Sequence, residues 1–165
     1  MDQEKNNFPV RITLIAGLPG SGKSHLLSRM EAADSMIRGM DDISINKDFI
    51  DSIHYYLHYD VPNLSVRHLV LSDPLLVSHV YRKSLIKALV NIGVTIDDID
   101  LILFENCPEQ CLVNSMNRPD KPVMGLILQL TKEYDEDNLI VEVNDGNYVL
   151  MNLIKKSVWK PKEKN

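Results

Sequence analysis

Apolar and polar positions along the chain follow two periods, one typical of buried strands and the other typical of helices. Four stretches rich in apolar residues predict the strands of a buried sheet. They lie at residues 10–16, 35–40, 66–73 and 99–105. Apolar residues spaced three and four apart predict helices at residues 25–33, about 46–59, 74 to about 91, 108–118 and 123 to about 134.

The last part of the chain carries a different signal. Residues 139–143 and 148–151 are strand-like, and the Asp145-Gly146 pair between them is a strong turn signal. We therefore expect a C-terminal β-hairpin. Trp159 follows it and is predicted to anchor the C-terminal segment on the core.

Strands that alternate with helices predict an α/β fold in which helices cover both faces of a mainly parallel sheet, giving three layers. The length of 165 residues fits a single domain. We place this domain at residues 8–159, with residues 1–7 and 160–165 as disordered termini. Ligands of such folds bind beyond the carboxyl ends of the strands, so residues that follow the predicted strands are the candidates for a site.

Composition narrows the class of protein. Hydrophobic residues make up 44% of the chain and charged residues 25%, as in ordinary globular proteins. No apolar run is long enough to span a membrane and no signal peptide is recognised, so we expect a cytoplasmic protein without membrane association. Cys107 and Cys111 are too few for a disulfide framework and are interpreted as small helix residues. The net charge of −5 favours a small substrate or a nucleic-acid end over a long duplex.

One motif carries most of the functional information. Residues 17–24 read GLPGSGKS, which satisfies the pattern G-x-x-x-x-G-K-[ST] between a predicted strand and a predicted helix, the context of a phosphate-binding loop. Lys23 is expected to reach the β- and γ-phosphates of a nucleoside triphosphate, and the Ser24 hydroxyl to bind Mg²⁺. The predicted nucleotide-binding residues are Gly17, Leu18, Pro19, Gly20, Ser21, Gly22, Lys23, Ser24 and His25.

Acidic residues follow the next two predicted strands. Asp41 and Asp42 come after the second strand, where a kinase needs a carboxylate that orients the acceptor hydroxyl and accepts its proton. The alternative is an acidic turn in which Asp42 caps the following helix. Asp73 ends the third strand, where it is interpreted either as a Mg²⁺ ligand or as the N-cap of the next helix.

A basic loop lies between the last two predicted helices. Residues 117–123 read NRPDKPV and include Arg118 and Lys121. Folded over the nucleotide as part of a helical lid, these side chains would neutralise charge on the transferring phosphoryl group. The alternative is a solvated turn between two helices.

These four segments together resemble the phosphate-loop kinases related to the phage polynucleotide 5′-kinase domain, whose general plan small-molecule kinases and zeta-type toxins share. The resemblance implies a sheet of about five parallel strands, with ATP as the phosphate donor and Mg²⁺ as the cofactor. It implies that Lys23 and Ser24 are the phosphate-loop pair. It also implies that Asp41 is the catalytic base and that Arg118 is a catalytic lid arginine.

The resulting hypothesis is an ATP-dependent kinase that transfers the γ-phosphate to a hydroxyl of a nucleic-acid 5′-end, a nucleoside or another small molecule. Two positions depart from the family, because Ser44 and Asn114 lie near places where arginines are expected. Two alternatives therefore stay open, a nucleotide-binding module without catalysis and an NTPase that passes phosphate to water. A GTPase switch is disfavoured because the chain lacks an N-K-x-D motif.

Overall fold

A computed structural model gives the fold and describes residues 10–41, 43, 47–60, 66–116, 123–134, 140–143, 146–149 and 153–161. In chain order its elements are β1 (Arg11–Ala16), α1 (Lys23–Ala33), β2 (Ile37–Asp41), α2 (Lys47–Tyr55), β3 (His68–Ser72), α3 (His79–Asn91), β4 (Ile99–Phe104), α4 (Pro108–Ser115), α5 (Met124–Glu133), β5 (Ile140–Val143), β6 (Gly146–Val149) and β7 (Leu153–Lys156). A π-helical turn at Tyr56–Asp60 continues α2, and short 3₁₀ helices at Pro74–Val77 and Ile96–Asp98 precede α3 and β4.

Five parallel strands form the central sheet in the order β2-β3-β1-β4-β7. At its centre, Leu14 of β1 lies in register with Leu71 of β3 and Leu101 of β4. The side chains of these three strands are almost entirely buried, because helices cover both faces of the sheet. The predicted α/β fold with its parallel sheet is confirmed.

The C-terminal part of the fold differs from the prediction in two respects, of which the first is that β6 begins at Gly146, two residues before the strand predicted at 148–151. β5 and β6 form the expected antiparallel hairpin, in which Ile140 pairs with Val149, although residues 144 and 145 of its turn lie outside the described residues. The fifth strand of the main sheet is β7, which pairs in parallel with β4 and which no pattern predicted. Three of its four residues are exposed, so it lacks the apolar run of a buried strand.

The predicted helix at residues 74–91 is divided in two. A 3₁₀ helix at Pro74–Val77 comes first, and α3 follows it. The carbonyl oxygens of Leu76 and Val77 accept hydrogen bonds from the buried guanidinium of Arg82, at 2.9 and 2.8 Å. A side chain therefore satisfies these two carbonyls, and the backbone does not have to continue as one helix to pair them.

The topology brings three chain segments to one edge of the sheet. The loop at residues 17–24 follows β1, Asp41 is the last residue of β2, and Asp73 directly follows β3. Because these strands are parallel neighbours, their carboxyl ends point the same way. The residues predicted from separate motifs are therefore placed close enough to form one site.

Some predictions about the ends of the chain lie outside the described residues. Residues 1–7 and 162–165 are among these, whereas Lys160 and Pro161 are described and exposed. The domain limits at residues 8 and 159 stay a prediction. Among the helices that the structure describes, none has the length and apolarity needed to cross a membrane.

Candidate functional site

The loop between β1 and α1 turns at two glycines that have a positive φ. Gly20 has a φ of 84° and Gly22 a φ of 108°, a region that other residues adopt only with strain. A Cβ at Gly20 would lie 2.5 Å from the carbonyl oxygen of Cys111, and a Cβ at Gly22 would lie 2.8 Å from the Cβ of Trp159. Both positions therefore require glycine for two reasons, backbone conformation and space.

Replacing Gly20 with Ala is expected to weaken Mg²⁺·ATP binding by at least about tenfold, because the strain and the clash together cost on the order of 1–3 kcal/mol. Isothermal titration calorimetry measures the loss. Gly125→Ala is the matched control, since no atom lies within 4 Å of a Cβ built at that position in α5. Equal ATP affinity in the two variants would contradict the assignment of this loop as the phosphate site.

The N-terminus of α1 is open to an anion. Its N-cap is Gly22, no described side chain caps the helix, and the first turn carries no acidic residue. The first N–H groups of a helix have no carbonyl partner within the helix, and the helix dipole adds positive potential there. The loop and the helix end thus offer backbone donors of the kind that bind phosphate.

Lys23 lies along this loop rather than in solvent. Its Nζ donates a hydrogen bond to the carbonyl oxygen of Leu18 at 2.9 Å, and the residue is only 7% exposed. A bound triphosphate would offer the ammonium group a charged acceptor, which makes a stronger hydrogen bond than a neutral carbonyl. The position of Lys23 fits the predicted role in binding phosphate.

Ser24 and Asp41 are brought together across two elements. The hydroxyl of Ser24, in the first turn of α1, donates a hydrogen bond to Oδ2 of Asp41 at the end of β2, at 2.5 Å. Both residues are exposed. A serine hydroxyl at this position of a phosphate loop is an oxygen ligand for Mg²⁺, which keeps several waters while taking few protein ligands. The Ser24 hydroxyl therefore fits a magnesium ion beside the phosphate loop, and the Asp41 carboxylate lies next to it.

Asp73, the other predicted metal ligand, makes a capping contact. Its Oδ1 accepts a hydrogen bond from the backbone N–H of Leu75 at 2.8 Å, and the residue is 5% exposed. The contact matches the N-cap interpretation, with the cap serving the 3₁₀ helix rather than α3. Within the described residues, no group of three or more His, Cys, Asp or Glu side chains could hold a metal ion. A metal-binding role for Asp73 stays a prediction.

A cavity of about 620 Å³ opens beside the loop. Its lining includes most of the loop together with Asp41, and it extends to Asn114 of α4, Leu126 of α5 and Trp159. This volume lies within the range of small-molecule sites. The cavity is the candidate nucleotide site, and it joins residues that lie far apart in the sequence.

Among the cavity residues that were not predicted to belong to the site, Asn114 and Trp159 connect the phosphate loop to the C-terminal segment. The Nδ2 group of Asn114 donates hydrogen bonds to the carbonyl oxygens of Gly20 and Trp159, at 2.8 and 2.7 Å. The backbone N–H of Trp159 in turn donates to the carbonyl of Ser21 at 2.9 Å. The C-terminal segment is therefore attached to the phosphate loop, whereas the side chain buried in the core is that of Val158, at 4% exposure, and not that of Trp159.

Cys111 packs behind the loop in α4. Burial raises the pKa of its thiol to about 11, so the thiol is protonated at neutral pH. Both cysteines are free thiols, and Cys107 lies at the N-cap of α4, one residue before the helix begins. Cys111 is the small helix residue that was predicted, whereas Cys107 precedes the helix as its N-cap.

The predicted lid lies outside the described residues. Arg118, Asp42 and Ser44 lie outside the described residues, and so does the whole loop at residues 117–122. The helices on either side of this loop, α4 and α5, both line the cavity. The catalytic role of Arg118 stays a prediction.

Comparison with known proteins identifies the type of fold. A gluconokinase from Sinorhizobium meliloti 1021 has a similar solved structure, with a TM-score of 0.54 and 15% sequence identity over 94% of this chain and 86% of that one. The protein therefore has a P-loop kinase-like fold. No protein-family model matches the chain. The chain belongs to the family of the uncharacterized protein R277 of Acanthamoeba polyphaga mimivirus, to which it is 35% identical over 130 residues, 76% of this chain and 86% of that protein.

Proposed function

We propose that this protein is a Mg²⁺·ATP-dependent phosphotransferase that transfers the γ-phosphate to a hydroxyl group. The observation that carries the proposal is the arrangement at the start of α1. An uncapped helix N-terminus and two positive-φ glycines form a cradle for phosphate, and the hydrogen-bonded pair of Ser24 and Asp41 lies at its rim. The cradle supports triphosphate binding, and the pair supports phosphate transfer.

Each residue has a defined part in the proposed reaction. The loop N–H groups and Lys23 bind the β- and γ-phosphates and counter the charge that develops on them. Ser24 would hold Mg²⁺, which when bound neutralises charge on the phosphate oxygens. Asp41 orients the acceptor hydroxyl and accepts its proton as the new bond from oxygen to the γ-phosphorus forms. The bond from the γ-phosphorus to the β,γ-bridging oxygen breaks, and ADP leaves.

A second cavity is proposed as the acceptor site. It has a volume of about 510 Å³ and begins at Met40, which precedes Asp41 in β2. Phe49 and Tyr55 of α2 contribute aromatic surface, and among its described lining residues Asp51 carries the only formal charge. Such a lining favours an acceptor with a planar or apolar part over a polyanionic one. A nucleoside fits this description better than an oligonucleotide end.

Transfer of labelled γ-phosphate from Mg²⁺·ATP tests the proposal. Nucleosides, 5′-hydroxyl oligonucleotides, sugars and amino-sugars are supplied in parallel, and the phosphorylated products are separated from inorganic phosphate. We expect transfer to a nucleoside-like acceptor at least about tenfold faster than release of phosphate to water. ATP hydrolysis at a rate that no acceptor changes would identify an NTPase instead. ATP binding without any turnover would identify a nucleotide-binding module, and either result would overturn the kinase proposal.

A further inference from the structure

Trp159 presents its side chain to the cavity beside the phosphate loop. It is the only tryptophan of the chain, it lines the cavity, and it is 47% exposed. Burial of a tryptophan side chain stabilises a protein more than burial of most side chains does. Because about half of this indole is exposed, much of that stabilisation is absent here. An exposed indole at the wall of a cavity is a surface on which a flat ligand can pack.

The backbone around this indole is fixed even though the ring is open. The backbone N–H of Trp159 donates a hydrogen bond to the carbonyl of Ser21, and its carbonyl accepts one from Nδ2 of Asn114. The preceding residue, Val158, is buried, and its N–H donates to Oε1 of Glu105 at 3.2 Å. The backbone that carries the indole is therefore positioned before any ligand arrives, which lowers the entropy cost of binding a ligand against this side chain.

A second ring lies close to the first. The imidazole of His25, in the first turn of α1, has its centroid 6.4 Å from that of the indole, and the two ring planes are inclined by 52°. His25 is exposed and also lines the cavity. The rings are not stacked on each other, so the face of the indole is not covered by the imidazole. They stand beside the helix N-terminus where the phosphates would bind.

We propose that Trp159 stacks on the base of the bound nucleotide, with His25 beside it. The proposal rests on the proposed phosphate site and extends it by assigning the base-binding surface. A triphosphate held at the N-terminus of α1 leaves its nucleoside end to extend along the cavity wall, and Trp159 supplies the aromatic face of that wall. Stacking uses the face of a base and not its hydrogen-bonding edge. ATP and GTP should therefore bind with similar affinity, and both more tightly than CTP or UTP, whose single ring offers less area.

Asn114 is the positioning residue for this surface. One amide group donates to the phosphate loop at Gly20 and to the C-terminal segment at Trp159, while its Oδ1 accepts a hydrogen bond from Nε2 of Gln110 at 2.9 Å. The residue therefore holds the phosphate half and the base half of the site in a fixed relation. Its loss should weaken binding of both halves of the nucleotide, whereas loss of the indole should affect only the base.

Fluorescence of the unmodified protein gives the first test, because all tryptophan emission comes from Trp159. Mg²⁺·ATP and Mg²⁺·tripolyphosphate, which has no base, are titrated separately, and calorimetry measures the affinity of each. We expect ATP and GTP to change the emission at saturation and tripolyphosphate to bind with a much smaller change. Binding of ATP with no change in emission would overturn the base-stacking proposal. Failure of both ligands to bind would overturn the proposed function itself.

Variants provide the second test. Trp159→Ala should lower ATP affinity about tenfold, the size of a lost base–aromatic stack, and leave tripolyphosphate affinity within about twofold. Trp159→Phe should retain most of the ATP affinity, and Lys160→Ala, at the next exposed position, should match the unmodified protein. Asn114→Ala should lower the affinity for both ATP and tripolyphosphate. Equal losses for ATP and tripolyphosphate in Trp159→Ala would show that the indole only supports the loop. If that variant does not fold, the Phe variant and the emission of the unmodified protein decide.

Discussion

Replacing Lys23 with Ala is expected to lower kcat/KM for phosphate transfer by at least about 1,000-fold, because its ammonium group is the cation that the structure places on the phosphate loop. The residue is only 7% exposed, and a water that filled the space left by the Ala side chain would carry no positive charge. Initial rates with γ-labelled ATP and a competent acceptor measure the loss. Lys132→Ala makes the same change of charge at an exposed position of α5 and should leave the rate unaffected.

The Lys23 result separates chemistry from folding when two further measurements accompany it. The thermal midpoint of Lys23→Ala should stay within a few degrees of the unmodified protein, because the hydrogen bond from its Nζ to the carbonyl of Leu18 connects two residues of the same loop and a single hydrogen bond contributes about 1 kcal/mol. Lys23→Arg should bind ATP more tightly than the Ala variant, since it keeps the charge but not the shape. Near-normal turnover in Lys23→Ala would refute the mechanism proposed here.

The centre of the fold and the phosphate loop were predictable from the sequence for the same reason. Both are local, so each signal lies within one continuous stretch of chain. β1 and β4 are runs of apolar residues with few interruptions, and the loop motif is bounded by a strand and a helix. Parallel topology then follows from the alternation of strands and helices, and it brings Asp41 to the edge where the loop lies.

The parts that the sequence did not predict depend on contacts between distant residues. Asn114 bonds to Gly20 across 94 positions and to Trp159 across 45, and no periodicity or motif encodes either pairing. β7 lies at the edge of the sheet and is mostly exposed, so it lacks the apolar run that predicts interior strands. The family resemblance predicts an arginine near position 114, where this chain has Asn114. Its observed contacts give it a different role, attachment of the C-terminal segment to the loop.

The attachment of the C-terminal segment to the phosphate loop connects the short strand β7 to the candidate site. β7 pairs with β4, and the chain then continues directly to Val158 and Trp159 at the phosphate loop. Pairing at the far edge of the sheet therefore determines where the indole lies. The amino acids that build the proposed nucleotide site come from both ends of the described chain. The site is therefore complete only when the C-terminal segment has joined the fold.

Replacing Asp41 with Asn is expected to lower kcat by about 100- to 10,000-fold, the usual contribution of a positioned general base. The change is conservative in shape, because the amide oxygen can still accept the hydrogen bond from the Ser24 hydroxyl. An amide cannot accept the proton of the acceptor hydroxyl, so the chemical step should suffer more than binding. Single-turnover rates with saturating ATP and acceptor measure the chemical step, and calorimetry measures ATP affinity.

The ratio of these two effects decides the role of Asp41. We expect ATP affinity within about fivefold of the unmodified protein, because Lys23 and the loop N–H groups still bind the phosphates. Glu133→Gln makes the same carboxylate-to-amide change at an exposed position in α5 and should change neither quantity. A large loss of Mg²⁺·ATP affinity with an unchanged single-turnover rate would instead make Asp41 a metal ligand. The catalytic base would then have to be a different carboxylate, because a group that holds the ion in the ground state is not the one that removes the proton.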